Sequence, residues 1–326
     1  MDNLDSPIPQ PPDTPSEPPV SLARPEPRNV VFFNDRGLRA GWRICIYICL
    51  ILFVGGIINQ VSRKIHAPTH EAPTPQGMIL SEAVSFALVF GAALIMAKIE
   101  KRSPGEYGLP LSAAFRKNFW LGMLFGLLEI SALIGLIAAF GGYSFGSLAL
   151  TQAGIFRWGL IHLLLFTLVG FFEEFAFRGY LQFTLADGIG FWPAAILLSV
   201  LFGAGHLGNP GEGLVGATSV VLIGLVFAFT LYRTGNLWYA VGLHASFDWG
   251  ESFLYSVPDS GLVLNGHLSN SLIHGAKWLT GGSVGPEGSV FCFLTMALQF
   301  LVVLWLFPKK KVQAEQSAPP VASTAV

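Results

Sequence analysis

Charge is what this sequence has least of. Asp, Glu, Lys and Arg make up 12% of its 326 residues, about half the roughly 25% usual for a soluble domain, so an ordinary water-soluble domain is excluded. The formal net charge is −1, and no basic stripe with interleaved aromatics occurs. Nucleic acid is therefore not an expected partner. Cysteine is scarce as well: Cys45 and Cys49 fall in one apolar run and Cys292 in another, with no CxxC and no disulfide framework. HExxH is missing too, so nothing in the spacing demands a metal. No cofactor is expected. The first apolar run starts near Ile44, beyond the usual window of a cleaved secretory signal, and reads as an uncleaved span.

What remains is long and apolar. Hydrophobic residues make up 52% of the chain, and stretches of about 20 such residues are the length a bilayer requires. They predict an all-α, polytopic membrane helix bundle of about eight transmembrane helices, near 42–61, 79–97, 119–140, 158–185, 191–207, 217–233, 237–256 and 288–307. Residues 1–36, dominated at 1–28 by proline with almost no large apolar side chains, read as a disordered cytosolic tail. Residues 37–118 read as N-terminal transmembrane helices with a cytosolic loop, 119–307 as the core membrane domain and 308–326 as a second cytosolic tail. With the N-terminus inside, Arg24, Arg28, Arg36, Arg39, Arg43, Lys98, Lys101, Arg102, Arg116, Lys117, Arg178, Arg233, Lys309, Lys310 and Lys311 collect on one side. Only Arg63, Lys64, Arg157 and Lys277 fall on the other. The positive-inside rule then puts both termini in the cytosol, and the cell (inner) membrane is the expected location.

Against this background the segment Phe171-Phe172-Glu173-Glu174-Phe175-Ala176-Phe177-Arg178 stands out, because two carboxylates and an arginine interrupt an apolar helix. A charge at mid-bilayer costs about 2.5–3.5 kcal/mol on insertion scales, so such groups usually face a polar cavity and serve a function. Glu174 and Arg178, four apart, share a helix face, and Glu173 lies about 100° round from them. Three further polar groups fall in later spans: His206 in Phe202-Gly203-Ala204-Gly205-His206, and His244 with Asp248 four residues on. The chemistry this set can perform is peptide hydrolysis without a covalent intermediate. Glu173 would act as general base on a water that His206 helps to hold. His244 and Asp248 would face the carbonyl oxygen, Asp248 directly if protonated or by orienting His244.

At these residues the chain resembles the CPBP membrane proteins, the group that contains type II CAAX prenyl endopeptidases and abortive-infection-like proteins. Glu173-Glu174-Phe-Ala-Phe-Arg178 is similar to the family's EExxxR motif, Phe202 to His206 to FxxxH, and His244 to Asp248 to HxxxN/D. Weaker resemblances flank them at Glu100-Lys101-Arg102-Ser103 with Tyr107-Gly108-Leu109, and at Thr280-Gly281-Gly282 with Gly285-Pro286-Glu287-Gly288-Ser289. The resemblance covers roughly residues 80–307. It implies an intramembrane glutamic endopeptidase with its pocket on the later spans and Glu173, His206, His244 and Asp248 as catalytic residues. Glu174 and Arg178 would support them. The same Glu173, His206, His244 and Asp248 could also serve as metal ligands, since carboxylate and imidazole suit zinc or similar ions, although nothing in the spacing demands one. Asp248 stands where the prenyl-protein proteases carry Asn. The partners implied are the lipid bilayer and a peptide or protein substrate, prenylated or membrane-embedded.

Two rivals come from other classes. A non-catalytic scaffold or bacteriocin-immunity-type protein would keep the fold and use the pocket to bind a partner. A proton-coupled transporter would use Glu, His and Asp as a relay, but it predicts an internal repeat, and the spans after 158 do not recapitulate those before it. Gly142-Tyr143-Ser144-Phe145-Gly146 formally matches GxSxG, yet it lacks the strand-turn-helix setting of a nucleophile elbow. Glu82 and Glu129 lie inside spans, and Glu129 is a candidate cavity residue.

Overall fold

The computed structural model describes residues 31–34, 37–65 and 74–308. The Pro-rich stretch 1–28, Arg24, Arg28, Arg36, His66, His70, Lys309, Lys310, Lys311 and all of the 308–326 tail except Pro308 lie outside them. Within residues up to Arg39, β1 (Phe33–Asn34) pairs antiparallel with β2 (Gly37–Leu38), and Arg39 N–H closes the hairpin on Phe32 O at 2.9 Å. This hairpin spans the boundary expected at residue 36.

From Ala40 onward the chain is all-α. Its helices are α1 (Ala40–Ile65), α2 (Pro75–Glu100), α3 (Lys117–Ala139), α4 (Gln152–Arg178), α5 (Tyr180–Ile189), α6 (Phe191–His206), α7 (Leu214–Thr234), α8 (Trp238–Trp249), α9 (Lys277–Thr280) and α10 (Val290–Leu306). A π turn, Gly250–Leu254, prolongs α8. Among the described residues from Ala40 on, the only strands are β3 (Tyr143–Ser144) and β4 (Leu272–Ile273), an antiparallel pair. Local sequence sets several ends. Thr74, Thr151 and Ser289 each accept a backbone N–H at 3.2 Å, from Gly77, Gly154 and Phe291, and so satisfy donors that a helix start leaves orphaned.

Among the described residues, five helical stretches are long and apolar enough to cross a membrane: Ala40–Lys64, Pro75–Glu100, Lys117–Ala139, Gln152–Ile189 and Leu214–Thr234. Exposed apolar side chains such as Leu52, Phe53 and Trp305 suit a lipid surface. The chain is an integral membrane protein. Three expected spans are shorter, since α6 has 16 residues, α8 with its π turn covers 238–254, and α10 has 17. At about 1.5 Å per residue they fall short of a bilayer core of roughly 30 Å. The expected span 158–185 is also not one straight helix. It breaks at Gly179, whose φ of −82° and ψ of −125° are not helical.

Lipid tails are as apolar as leucine, so close backbone packing and buried polar contacts carry much of the association between helices. Gly122 and Gly126 show how. They face α8, and a Cβ on either would collide with the carbonyl oxygens of Tyr239 and Leu243. Gly242 returns the contact against the carbonyl of Phe119. The Gly122–Gly126 pair, which in sequence reads as a general helix-packing motif, is thus used inside the chain. α8 is accordingly sheathed by protein, with Trp238 to Leu243, Ala245, Ser246 and Asp248 all buried.

One end of the bundle is tied by ions. Arg43 of α1 pairs with Glu100 of α2 and, at 2.8 Å, with Asp187 of α5, while Arg102 reaches Asp187 at 3.1 Å. Tyr107 O–H donates to Glu100 at 3.1 Å. This is the structural content of the Glu100–Leu109 signature. Burial, with Glu100 close by, pushes the Tyr107 phenol pKa up.

Candidate active site

The last turns of α4 carry two carboxylates that point to different places. Glu174 is fully buried, and its Oε1 accepts from Arg178 Nη1 at 3.3 Å. Arg178, buried too, lies over the ring of Phe202 at 4.3 Å and that of Phe227 at 5.4 Å. Gly224 of α7 makes room for it, because a Cβ there would collide with Nη2. Glu173, a residue earlier, borders a cavity of about 390 Å³.

His244 joins α8 to both acids. Its Nδ1 lies 3.0 Å from Glu174 Oε1, so the N–H there donates to the carboxylate. Nε2 lies 3.6 Å from Glu173 Oε2 and 3.4 Å from Asp248 Oδ2. Phe227 stacks on the imidazole with centroids 5.3 Å apart and planes 12° apart, and this fixes the ring. Close approach of α4 to α8 makes the contact reachable: a Cβ at Gly170 would sit 3.1 Å from Val241 O. Three carboxylates thus gather round one imidazole, and the guanidinium of Arg178 pairs with Glu174 alone.

His206 comes from the end of α6. Its Nδ1 is 2.8 Å from Phe202 O, a carbonyl that can only accept, so Nδ1 carries the proton and Nε2 is left as an acceptor. Its ring packs on Phe202 at 4.7 Å. Glu173, His206, His244 and Asp248 all line the one cavity, whereas Glu174 and Arg178 lie behind it. Among the described residues no hydrogen bond or ion pair links Glu173 to His206; the partner of Glu173 is His244.

The cavity also holds residues outside the three main motifs, the candidate cavity residue Glu129 among them. Glu82 of α2, Asn209, Asp259 and Glu287 border it, together with Glu129 of α3. Glu287 sits in the glycine-rich signature near residue 285, where Gly281 (φ +80°) folds against Gly285 in a turn no side chain would fit. Asp259 lies in a loop with no motif around it. Burial first, then repulsion from Asp248 and Glu287, holds the Asp259 carboxyl well above its usual pKa, and burial likewise raises Glu287. Ser144 of the GxSxG match is exposed on β3 and does not border the cavity. Walls of Phe166, Phe172, Phe177, Phe247 and Ile223 make most of the rest of the lining apolar, with Ser219, Ser252 and Ser260 among them.

Residues 156–250, the stretch from α4 to the end of α8, match the family model described as type II CAAX prenyl endopeptidase Rce1-like. Over this stretch, less than a third of the 326 residues, the chain is similar to the CAAX-protease-like membrane proteins, a family of proteases. Comparison with curated proteins and with solved structures gave no match.

Proposed function

We propose that the chain is an intramembrane endopeptidase that hydrolyses peptide bonds near the cytosolic face through a water activated by Glu173 and His206. The observation that supports it most is that Glu173, His206, His244 and Asp248, drawn from three helices, border a single cavity with His244 locked from behind by Glu174. In this reading Glu173 takes a proton from water, whose other hydrogen bond goes to His206 Nε2. The oxygen attacks the scissile carbonyl carbon, and the oxyanion that forms meets an N–H at His244 Nε2. Glu173 then passes its proton to the leaving nitrogen as the C–N bond breaks. Asp248 orients and stabilises the charged imidazole.

The substrate is a peptide or the tail of a protein, and the phenylalanine-rich lining suits an apolar segment or a prenyl chain beside the cut. With both termini cytosolic, as the lysines and arginines argue, the carboxylates of α4 lie toward the cytosolic half of the cell membrane. The test is turnover of a quenched peptide library, farnesylated CaaX peptides included, by the purified protein in detergent, with Glu173→Gln and His206→Ala and a chelator arm. Turnover lost in both variants and kept with chelator is expected. Equal biological complementation by wild type and Glu173→Gln would overturn the reading in favour of a scaffold or immunity-type protein.

A further inference from the structure

Where α8 ends, three more carboxylates gather apart from His244. Glu251 lies on the π turn, Asp259 in the loop that follows and Glu287 in the short helical turn before α10, and one oxygen from each falls within 4.8 Å of the others. Glu251 is 0% exposed, and neither of its oxygens has a hydrogen-bond partner. The other two are only partly satisfied. Asp259 Oδ2 accepts from Ser252 Oγ at 3.2 Å, and Glu287 Oε2 accepts from the N–H and Oγ of Ser260 at 2.9 and 3.1 Å. Among the described residues no lysine or arginine forms an ion pair with any of the three.

Three ionised carboxylates this close are strongly unfavourable in low dielectric, so the cluster must take up either protons or a cation among its oxygens. Its geometry suits a metal ion. Oxygens that share a calcium ion at 2.3–2.6 Å lie at most about 5 Å apart, and these three meet that limit. Gly285, at φ +117°, keeps this side of the cluster open: a Cβ there would collide with Pro258 O and lie 3.0 Å from Glu251 Oε1. The donor set holds no imidazole or thiolate, so it selects against zinc and for a hard ion.

We propose that Glu251, Asp259 and Glu287 bind one hard divalent cation of the calcium or magnesium class. The ion ties the loop after α8 to the turn before α10, on the border of the cavity but distinct from the Glu173 and His244 cluster. The assignment stands on these three side chains and does not depend on the protease reading.

The experiment uses full-length protein in detergent micelles, stripped with EDTA and titrated with Mn2+ under electron paramagnetic resonance, with Ca2+ and Mg2+ as competitors. Expected are one saturable Mn2+ per chain, displaced by Ca2+ or Mg2+, and a Tm that rises on adding Ca2+ to the stripped protein. Asp259→Asn and Glu287→Gln should each weaken binding at least tenfold and flatten the Tm response. Both remove crowded negative charge, so in EDTA they should be no less stable than wild type. Glu173→Gln should bind Mn2+ as wild type does. Loss of binding in Glu173→Gln, undiminished binding in both triad variants, or no saturable Mn2+ at millimolar concentration would each overturn the assignment. The wild-type titration decides alone if the triad variants do not accumulate.

Discussion

Glu174 Oε1 sits between Arg178 Nη1, at 3.3 Å, and His244 Nδ1, at 3.0 Å, so one buried oxygen links the charge on α4 to the imidazole on α8. Arg178 balances Glu174, and Glu174 fixes which nitrogen of His244 is turned to the cavity.

Breaking that chain at its far end should be felt in stability. Arg178→Met leaves Glu174 buried without its guanidinium, and removing one partner of a buried pair costs about 3–5 kcal/mol. Thermal unfolding in detergent should show a large drop in Tm. The double variant Glu174→Gln with Arg178→Met should recover much of it, because no uncompensated charge remains.

Glu173 should separate from Glu174 in the opposite sense. Its side chain is 24% exposed at the cavity wall, so Glu173→Gln should leave Tm near wild type. If it is the base, turnover should fall by about 10²–10⁴-fold, mostly in kcat. Paired melting curves and peptide-cleavage rates check both halves.

Two glycines of α3 should respond in contrary ways. Gly122→Ala drives a Cβ into the carbonyl of Tyr239, backbone that cannot move aside, and overpacking of this kind costs about 1–3 kcal/mol or more. Gly135→Ala meets nothing within 4 Å and should be neutral or stabilising by up to about 1 kcal/mol through helix propensity. Tm values of the two variants provide the comparison.

The ion network at the other end should be graded by burial. Glu100→Gln strips a buried partner from Arg43, both side chains being 8% exposed, and should cost several kcal/mol. Asp187→Asn acts at a side chain 32% exposed, where solvent screens the pair, and should cost about 1 kcal/mol or less. Unfolding of both variants in the same detergent tests the order.

Much of the site is legible in the sequence because its pairs are local. Glu174 with Arg178, and His244 with Asp248, are four apart, and helix geometry alone puts each pair on one face. Spacing does not say which neighbour a face meets. The sequence joins Glu173 to His206 only through a shared water and does not foresee the contact of Glu173 with His244, and the capture of His206 Nδ1 by Phe202 O follows from a backbone that no motif describes. The helix break at Gly179 is hidden for a related reason: the residues on both sides can continue a helix, and the backbone angles at one position reveal the break. Glu287 lay inside a glycine-rich signature whose fold is a turn, and Asp259 in a stretch with no period at all. Glu82 reaches the cavity from α2, far away in sequence, and only tertiary packing can bring it there.

The glycine seam between α3 and α8 also bears on how this chain can drift over generations. At Gly122, Gly126 and Gly242 every other amino acid brings an atom into a neighbour's main chain, so these sites are closed to change even though they take no part in chemistry. Along α1, where Leu52 and Phe53 are exposed as a lipid-facing surface would be, one apolar residue serves as well as another. A saturation-mutagenesis map should therefore show sharp intolerance at three residues without side chains, and wide freedom at two bulky ones.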